Sequence, residues 1–314
     1  MDVHIAVDIG GTQIRAATYP LNSLHPLNIR RLSTNHPTRS PLERLIEVIA
    51  SVWSREERVA AIGVAAPGPL DPYQGIMIDA PNIPDWENLP LARILEEQFQ
   101  VPVALGNDAN LAALGEWQFG VGQGHHHLIY LTVSTGIGGG IIVDDQLVLG
   151  HRGLAAELGH VTVLPDGPLC GCGRRGHLEA VASGTAITNW VQQELASGVS
   201  SILIGTPAPS AKDIAQAAKA GDSLAINALA RAGAFIGQAL ADFLHIINPS
   251  LVIFGGGVSQ SGDLLLNPVR ESLMEHVMNP YFLNGLSITA AALGDEAGLM
   301  GSLALARQLT GAGR

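Results

Sequence analysis

The two most informative segments of this chain are Ala6-Val-Asp-Ile-Gly-Gly-Thr-Gln-Ile-Arg15 and Leu131-Thr-Val-Ser-Thr-Gly-Ile-Gly-Gly-Gly-Ile-Ile142. Each consists of a strand-like run, a glycine-rich turn and a second strand-like run, which predicts a β-hairpin with unpaired N–H groups at its tip. Two such hairpins facing each other could hold a polyphosphate from both sides. A dinucleotide-binding fingerprint requires a helix after the glycine turn, and neither segment continues as a helix. The pair therefore indicates an internal repeat and argues against a Rossmann oxidoreductase.

Around these hairpins, β-rich runs alternate with helical periodicity, which is typical of a layered α/β protein. The pattern restarts near residue 116, and we place a domain boundary there. Strands are predicted at 3–9, 13–19, 29–34, 59–66, 101–105, 128–134, 140–143 and 250–254. Helices are predicted at 41–55, 89–98, 108–119, 185–196, 211–218, 223–247, 264–278 and 296–309, and residues 150–180 are predicted to be irregular.

Composition excludes several classes of protein. Hydrophobic residues make up 47% of the chain and charged residues only 14%, which rules out a disordered chain. A formal net charge of −11 opposes binding to nucleic acid and to anionic membrane surfaces. There is no signal peptide pattern and no apolar run of about 18 residues or more, so we expect a cytoplasmic protein without a membrane span.

Three glycine clusters are candidate phosphate sites, because glycine lets backbone N–H groups approach phosphate oxygens closely. In the first, Asp8 could also hold Mg²⁺ through water. The third cluster follows a strand and leads towards a helix, which close packing alone would also explain. The candidate residues are Asp8, Gly10, Gly11 and Thr12, then Thr135, Gly136 and Gly138, and finally Gly255, Gly256 and Gly257.

The segment Gly106-Asn-Asp-Ala-Asn110 follows a short strand and opens a helix. Asp108 could simply cap this helix, since Asp is a preferred N-cap residue. Alternatively, Asp108 could act as a general base that accepts a proton from a substrate hydroxyl during phosphoryl transfer. Asn107 would then hydrogen-bond the same substrate.

Both cysteines of the chain, Cys170 and Cys172, lie close in sequence to His160 and His177. Two thiolates and two imidazoles would complete a closed tetrahedral Zn²⁺ site. The alternatives are two idle thiols or a disulfide across one residue, which is geometrically poor. A zinc ion would order a loop that carries Glu157 and Glu179, whose carboxylates could bind several hydroxyls of one polyol.

Taken together, these motifs resemble the ROK family of repressors and sugar kinases, most closely its bacterial glucokinase-type members. The resemblance spans essentially the whole chain. It rests on Asp-x-Gly-Gly-Thr at 8–12, Ala-Pro-Gly at 66–68, Pro-Asn at 81–82, Gly-Asn-Asp-Ala-Asn at 106–110, Ser-Thr-Gly-Ile-Gly-Gly-Gly at 134–140, Glu-x-Gly-His at 157–160 and Cys-x-Cys-Gly-x-x-Gly at 170–176.

The resemblance implies a two-lobed actin-like ATPase fold, related to ribonuclease H, with the active site in the interlobe cleft. The smaller lobe would comprise residues 1–116 with the C-terminal helix at about 297–314, and the larger lobe, with the zinc loop, residues 117–296. Asp108 matches the family's catalytic base. The sugar-binding positions would be Gly68, Asn82, Asn107, Asp108, Glu157, His160 and Glu179.

Two positions depart from the family pattern. His177 stands where the family has a third zinc-binding cysteine, and Gln13 replaces a lysine that is common after the Gly-Gly-Thr turn. The metal set expected here is therefore His160, Cys170, Cys172 and His177.

The sequence thus predicts an ATP- and Mg²⁺-dependent hexokinase that phosphorylates the 6-hydroxyl of glucose, with structural Zn²⁺ and, by resemblance, a homodimeric assembly. N-acetylmannosamine, N-acetylglucosamine, mannose or fructose as acceptor, and polyphosphate as donor, remain alternatives. The rivals from another class are a catalytically idle sugar-binding protein and a sugar-sensing repressor. The repressor is disfavoured because the first hairpin begins at residue 3, which leaves no room for a helix-turn-helix.

Overall fold

The computed structural model describes residues 2–80 and 83–312. Its first sheet has the strand order β3-β2-β1-β4-β7, in which β1 pairs antiparallel with β2 and parallel with β4. A short separate hairpin, β5–β6, follows β4. These strands are β1 (Asp2–Ile9), β2 (Gln13–Pro20), β3 (Asn28–Ser33), β4 (Arg58–Ala66), β5 (Leu70–Asp71), β6 (Ile76–Met77) and β7 (Val103–Asn107).

The second sheet repeats this topology with the order β10-β9-β8-β11-β12. Its first strand, β8, again pairs antiparallel with the next strand and parallel with β11. The repeat inferred from the two glycine hairpins therefore extends to both sheets. The strands are β8 (Leu128–Val133), β9 (Ile137–Val143), β10 (Gln146–Leu147), β11 (Leu251–Gly255) and β12 (Ser287–Ala290).

Helices cover the outer faces of the two sheets. The first sheet packs against α1 (Pro41–Val52) and α2 (Leu91–Phe99), and their apolar residues form one buried core. A larger core joins the second sheet to a helical layer. That layer comprises α4 (Leu178–Ala182), α5 (Gly184–Ala196), α6 (Ala211–Lys219), α7 (Ser223–Ile247) and α8 (Asp263–His276).

Two further helices lie between the sheets and pack against each other. The first, α3 (Asp108–Phe119), also contacts β8 and β9, whereas α9 (Ala297–Leu309) contacts β1 and β4. Their backbones are so close that a Cβ on Gly301 would lie 1.8 Å from the carbonyl oxygen of Leu111. This pair joins the two lobes. The boundary at residue 116 stays a prediction.

One helix, α7, is long and apolar enough to span a membrane by length and composition, with a mean hydropathy of 1.3. Most of its apolar residues are buried in the core against α8, α6 and α4. This burial is what is expected of a helix that is hydrophobic on most of its surface and lies in the core of a folded lobe.

The alternating α/β architecture agrees with the sequence prediction, and α3 and α7 have the predicted bounds. Helix α1 ends at Val52 rather than continuing to residue 55, and β9 begins at Ile137, three residues earlier than predicted. The sequence analysis did not predict α4 or the edge strand β12, because both are short and show no clear hydrophobic periodicity.

Candidate functional site

Three neighbouring cavities run between the lobes and over the second sheet. We name them the central cavity (about 680 Å³), the inner cavity (about 350 Å³) and the outer cavity (about 560 Å³). Ser134, at the tip of the β8–β9 hairpin, lines all three. Asp108 lines both the central and the inner cavity. The three cavities therefore adjoin one another, and Asp108 lies where the central and inner cavities meet.

The position of Asp108 follows from how α3 begins. Asn107 is the N-cap, and its side-chain oxygen accepts hydrogen bonds from the N–H groups of Ala109 (3.0 Å) and Asn110 (3.2 Å). Because Asn107 satisfies these two N–H groups, Asp108 is the first helical residue rather than the cap. One Asp108 oxygen accepts from the Ala109 N–H at 2.8 Å. The carboxylate remains exposed to the cavities.

Electrostatics give Asp108 an unusual proton affinity. Although its surface is open to the cavities, surrounding protein atoms desolvate the carboxyl group, and this raises its pKa to about 6. The hydrogen bond from Ala109 opposes the shift, and the carboxylates of Asp8 and Glu157 add to it. A carboxylate with a pKa near neutrality is suited to general base catalysis.

The lining of the inner cavity is acidic and contains several glycines, which expose backbone groups. Asp8, Asp108 and Asp295 line it, and the described residues of its lining include no lysine or arginine. Asp8 receives two hydrogen bonds from Arg15, whose guanidinium also donates to the carbonyl oxygen of Asp295 at 2.6 Å. The predicted residues Gly255, Gly256 and Gly257 also line this cavity. An anionic ligand here would depend on backbone N–H groups and on a cation brought with it.

The first hairpin contributes Asp8 but not its tip to this lining. Thr34 holds the tip, because its hydroxyl donates to the Gly10 carbonyl (2.6 Å) and its N–H to the Thr12 carbonyl (3.0 Å). Gly10, Gly11 and Thr12 are absent from the described residues that line the inner cavity. Their assignment to a phosphate site stays a prediction.

The second hairpin is held by elements outside its own sheet. The Glu179 carboxylate accepts the Ile137 N–H at 2.9 Å, and the Gly184 N–H donates to the Ser134 carbonyl at 2.7 Å. A Cβ at Gly136 would lie 2.4 Å from Glu179 Oε2, so glycine permits this contact. Thr135, Gly136 and Gly138 all line the central cavity.

The central cavity gathers most of the predicted sugar-binding residues: Gly68, Asn107, Asp108, Glu157, His160 and Glu179. Burial raises the pKa of Glu157, which His160 opposes and Glu179 reinforces. Asn82 lies outside the described residues. The cavity is lined by carboxylate, amide and imidazole groups, which can bind several hydroxyl groups of one ligand.

His160, Cys170, Cys172 and His177 offer four donor atoms that all lie within 4.8 Å of one another. The two Nδ1 atoms are 3.3 Å apart, Cys172 Sγ is 3.3 Å from His177 Nδ1, and Cys170 Sγ is 3.7 Å from His160 Nδ1. Tetrahedral Zn²⁺, with bonds of about 2.0–2.3 Å, places its ligands roughly 3.3–3.8 Å apart. Both cysteines are free thiols. The donor set therefore fits a tetrahedral metal.

The outer cavity is lined by two residues that the sequence analysis did not predict to belong to a site. Lys212 and Lys219, both exposed on α6, line it together with Gln260 and the glycine turns. They are the only lysines of the chain. Lys212 lies in the first turn of α6, where the helix dipole disfavours a cation. The rarity of lysine was visible in the sequence, but its link to a site was not.

Residues 4–309 match the ROK family. The chain belongs to this family. It is 38% identical over 312 residues to the glucokinase of Thermotoga maritima, and the match covers 98% of each chain. The crystal structure of a ROK family glucokinase from Streptomyces griseus in complex with glucose and AMPPNP is 37% identical, with a TM-score of 0.81 over 98% of this chain and 99% of that one. The predicted family and the two-lobed actin-like ATPase fold are confirmed.

The family also contains regulators. The xylose repressor of Caldicellulosiruptor bescii is 35% identical over 254 residues, but the match covers only 62% of the repressor and 79% of this chain. The full-length matches to glucokinases therefore give the repressor reading less support than the kinase reading.

Proposed function

We propose that this protein is a sugar kinase that transfers the terminal phosphoryl group of ATP to a hexose, with glucose as the principal acceptor. The observation that carries the proposal is the place of Asp108, which faces both the central and the inner cavity. A group at this junction can accept a proton from a hydroxyl on one side while phosphoryl transfer takes place from the other. The similarity to glucokinases over nearly the whole chain supports the same function.

In this proposal the central cavity holds the sugar. Asn107, Glu157, His160 and Glu179 bind its hydroxyl groups, together with Gly68 and Asn82, and Asp108 takes the proton of the hydroxyl that is phosphorylated. Because the pKa of Asp108 is about 6, it is largely ionised at neutral pH yet still basic enough to share a proton. Closure of the lobes would exclude water, which would otherwise compete as acceptor.

The donor occupies the inner and outer cavities. The glycine clusters provide backbone N–H groups for the phosphates, and Asp8 holds Mg²⁺ through water. When bound, Mg²⁺ neutralises triphosphate charge that the acidic lining of the inner cavity would otherwise repel. Lys212 and Lys219 then face the nucleoside end of ATP in the outer cavity. The described residues of its lining include two lysines and no arginine, which is not the continuous basic surface that a polyphosphate chain would favour.

We assign the metal set to structural Zn²⁺, which would order the segment between Glu157 and Glu179. Metal analysis of protein purified without added metal should find about one zinc per chain. Release of that zinc by a chelator should lower the melting temperature and weaken sugar binding together. Protein with no bound metal and unchanged sugar affinity would overturn the assignment. We also infer a cytoplasmic location and, by family resemblance, a homodimer.

The experiment that tests the function is an assay of sugar phosphate formation, in which mass spectrometry identifies and quantifies the product of each acceptor. Glucose, mannose, fructose, N-acetylglucosamine and N-acetylmannosamine are compared as acceptors, each with ATP and with polyphosphate as donor. The highest kcat/KM should belong to glucose with ATP. A higher kcat/KM for an N-acetylated sugar would show that this sugar, and not glucose, is the principal acceptor. Glucose binding by calorimetry without turnover of any donor would instead favour a non-catalytic sugar sensor.

A further inference from the structure

Glu116, near the C-terminal end of α3, is a fully buried carboxylate that the mechanism above does not use. Its Oε1 atom accepts the Leu293 N–H at 2.7 Å, and its Oε2 atom accepts the Val121 N–H at 3.2 Å. The two donors are 172 residues apart in the sequence. A buried carboxylate that binds two such remote segments strongly constrains both of them.

These two segments connect the second sheet to the helices between the lobes. Residues 120–127 lead from α3 into β8, and residues 291–296 lead from β12 into α9. The first segment is further bound to Glu116, because the N–H groups of Gly120 (3.0 Å) and Gly122 (2.9 Å) donate to its backbone carbonyl. A Cβ on Gly120 would lie 2.0 Å from Oε2 of Glu116. The backbone at Gly120 therefore packs directly against this carboxylate, with no space for a side chain.

Both segments lead to functional groups. Glu116 lies eight residues after Asp108 on the same helix, about 12 Å along its axis at 1.5 Å per residue. Leu293 directly precedes Gly294 and Asp295, which line the inner cavity with Ala297 and Gly298. One carboxylate therefore connects the helix that presents Asp108 to the wall of the inner cavity.

We infer that Glu116 is a positioning residue for phosphoryl transfer, which fixes the wall of the inner cavity relative to Asp108. This inference rests on the proposed kinase function. Small errors in the alignment of donor and acceptor are costly, since a displacement of about 1 Å can reduce a rate about 10²-fold. Loss of one of the two bonds should therefore lower kcat, while the central cavity keeps its affinity for the sugar.

Glu116→Gln tests the role, because glutamine keeps the size of the side chain but has one acceptor oxygen and an NH₂ group that cannot accept the second N–H. The matched control is Asp222→Asn. Asp222 is also buried and accepts two backbone N–H groups, from Ala225 (2.9 Å) and Ile202 (2.8 Å). It is absent from the described residues lining the three cavities.

Both variants should lose thermal stability, but only Glu116→Gln should lose kcat, by about 10- to 100-fold, with KM for glucose changed less than about threefold. Kinetics are measured well below both melting temperatures. Gly120→Ala should reproduce the kcat loss, because its Cβ displaces the same carboxylate, and it decides the question if Glu116→Gln does not fold. Equal kcat for both Glu116 and Asp222 variants, with the wild type active, would overturn the positioning role alone. An inactive wild type would count instead against the kinase function.

Discussion

The two glycine hairpins occupy equivalent places in two sheets of the same topology, yet they are held in different ways. The tip of the β1–β2 hairpin is bound by Thr34 from the end of the neighbouring strand in its own sheet. The tip of the β8–β9 hairpin is bound by Glu179 of α4 and by Gly184 of α5. The first hairpin supplies a carboxylate, Asp8, to one cavity, whereas Ser134 of the second lines three.

This difference shows that a repeated topology fixes where a hairpin lies but not what it does. In the first hairpin the group that we propose to be functional is the side chain of Asp8, at the end of β1, which Arg15 binds. In the second hairpin it is the turn itself, together with the carboxylate of Glu179, which accepts a hydrogen bond from the turn and belongs to α4. Substitutions of Asp8 in the first hairpin should therefore affect turnover, and substitutions that displace Glu179 from the second hairpin should affect sugar binding.

Among the substitutions that test this comparison of the two hairpins, the largest effect is expected for Asp8→Asn. Loss of its charge removes a ligand for the hydration shell of Mg²⁺ and frees Arg15, so we expect kcat to fall about 10²-fold. Asp2→Asn is the matched control, because Asp2 lies on the same strand and also pairs with an arginine, Arg58. Steady-state assays at saturating glucose and ATP measure both. Similar kcat values for the two variants would remove the distinction drawn for the first hairpin.

Gly136→Ala should have an intermediate effect and a different signature. Its Cβ would meet Glu179 at 2.4 Å and displace this carboxylate from the Ile137 N–H, so KM for glucose should rise about tenfold. Gly10→Ala, at the tip of the first hairpin, meets only the Gln13 carbonyl oxygen at 3.2 Å and should change this KM less than about threefold. Initial rates across a glucose series give both values. Equal KM values would show that the two tips do not differ in the way proposed.

Replacement of Lys212 and Lys219 by methionine should raise KM for ATP by about three- to tenfold and leave KM for glucose unchanged. Arg93→Met on the exposed face of α2 is the control. Because these are the only lysines, amine acylation read by mass spectrometry reports on this cavity directly. ATP should protect both side chains. If saturating ATP does not slow the labelling of these lysines, the nucleotide does not bind in the outer cavity.

The smallest effect concerns pH. In the proposed mechanism the ionised form of Asp108 is the active base, so kcat/KM should fall as the pH drops through about 6. Burial is the main cause of the raised pKa, and the Asp8 carboxylate adds to it, so Asp8→Asn should move this acid limb to lower pH. Profiles of kcat/KM from pH 5 to 8 measure the shift. A limb that stays in place, or moves to higher pH, would contradict the electrostatic account.

Local signals predicted much of this molecule. The hairpins, α3, α7 and the four clustered side chains of the candidate metal site follow from short-range patterns in glycine, apolar and cysteine residues. The cap of α3 was harder to predict, because Asn107 and Asp108 are both good caps and the choice depends on where β7 ends. The pairing of Arg15 with Asp8 follows from the register of the β1–β2 hairpin, in which the two residues lie directly opposite each other. The contact of both lysines with the second hairpin's cavity depends on long-range packing that no local pattern encodes.

The most direct test of the account is the turnover of Asp108→Asn, a change of nearly the same shape that removes the base. We predict a loss of kcat of about 10²–10⁴-fold with glucose binding retained in calorimetry, whereas the exposed control Glu56→Gln should match the wild type. Because the folded state holds the Asp108 proton more tightly than the unfolded chain, ionisation costs stability once the pH rises above the unfolded pKa. The variant should therefore melt slightly higher at pH 7, an advantage that disappears below about pH 4. Turnover close to that of the wild type would contradict the claim that Asp108 is the catalytic base.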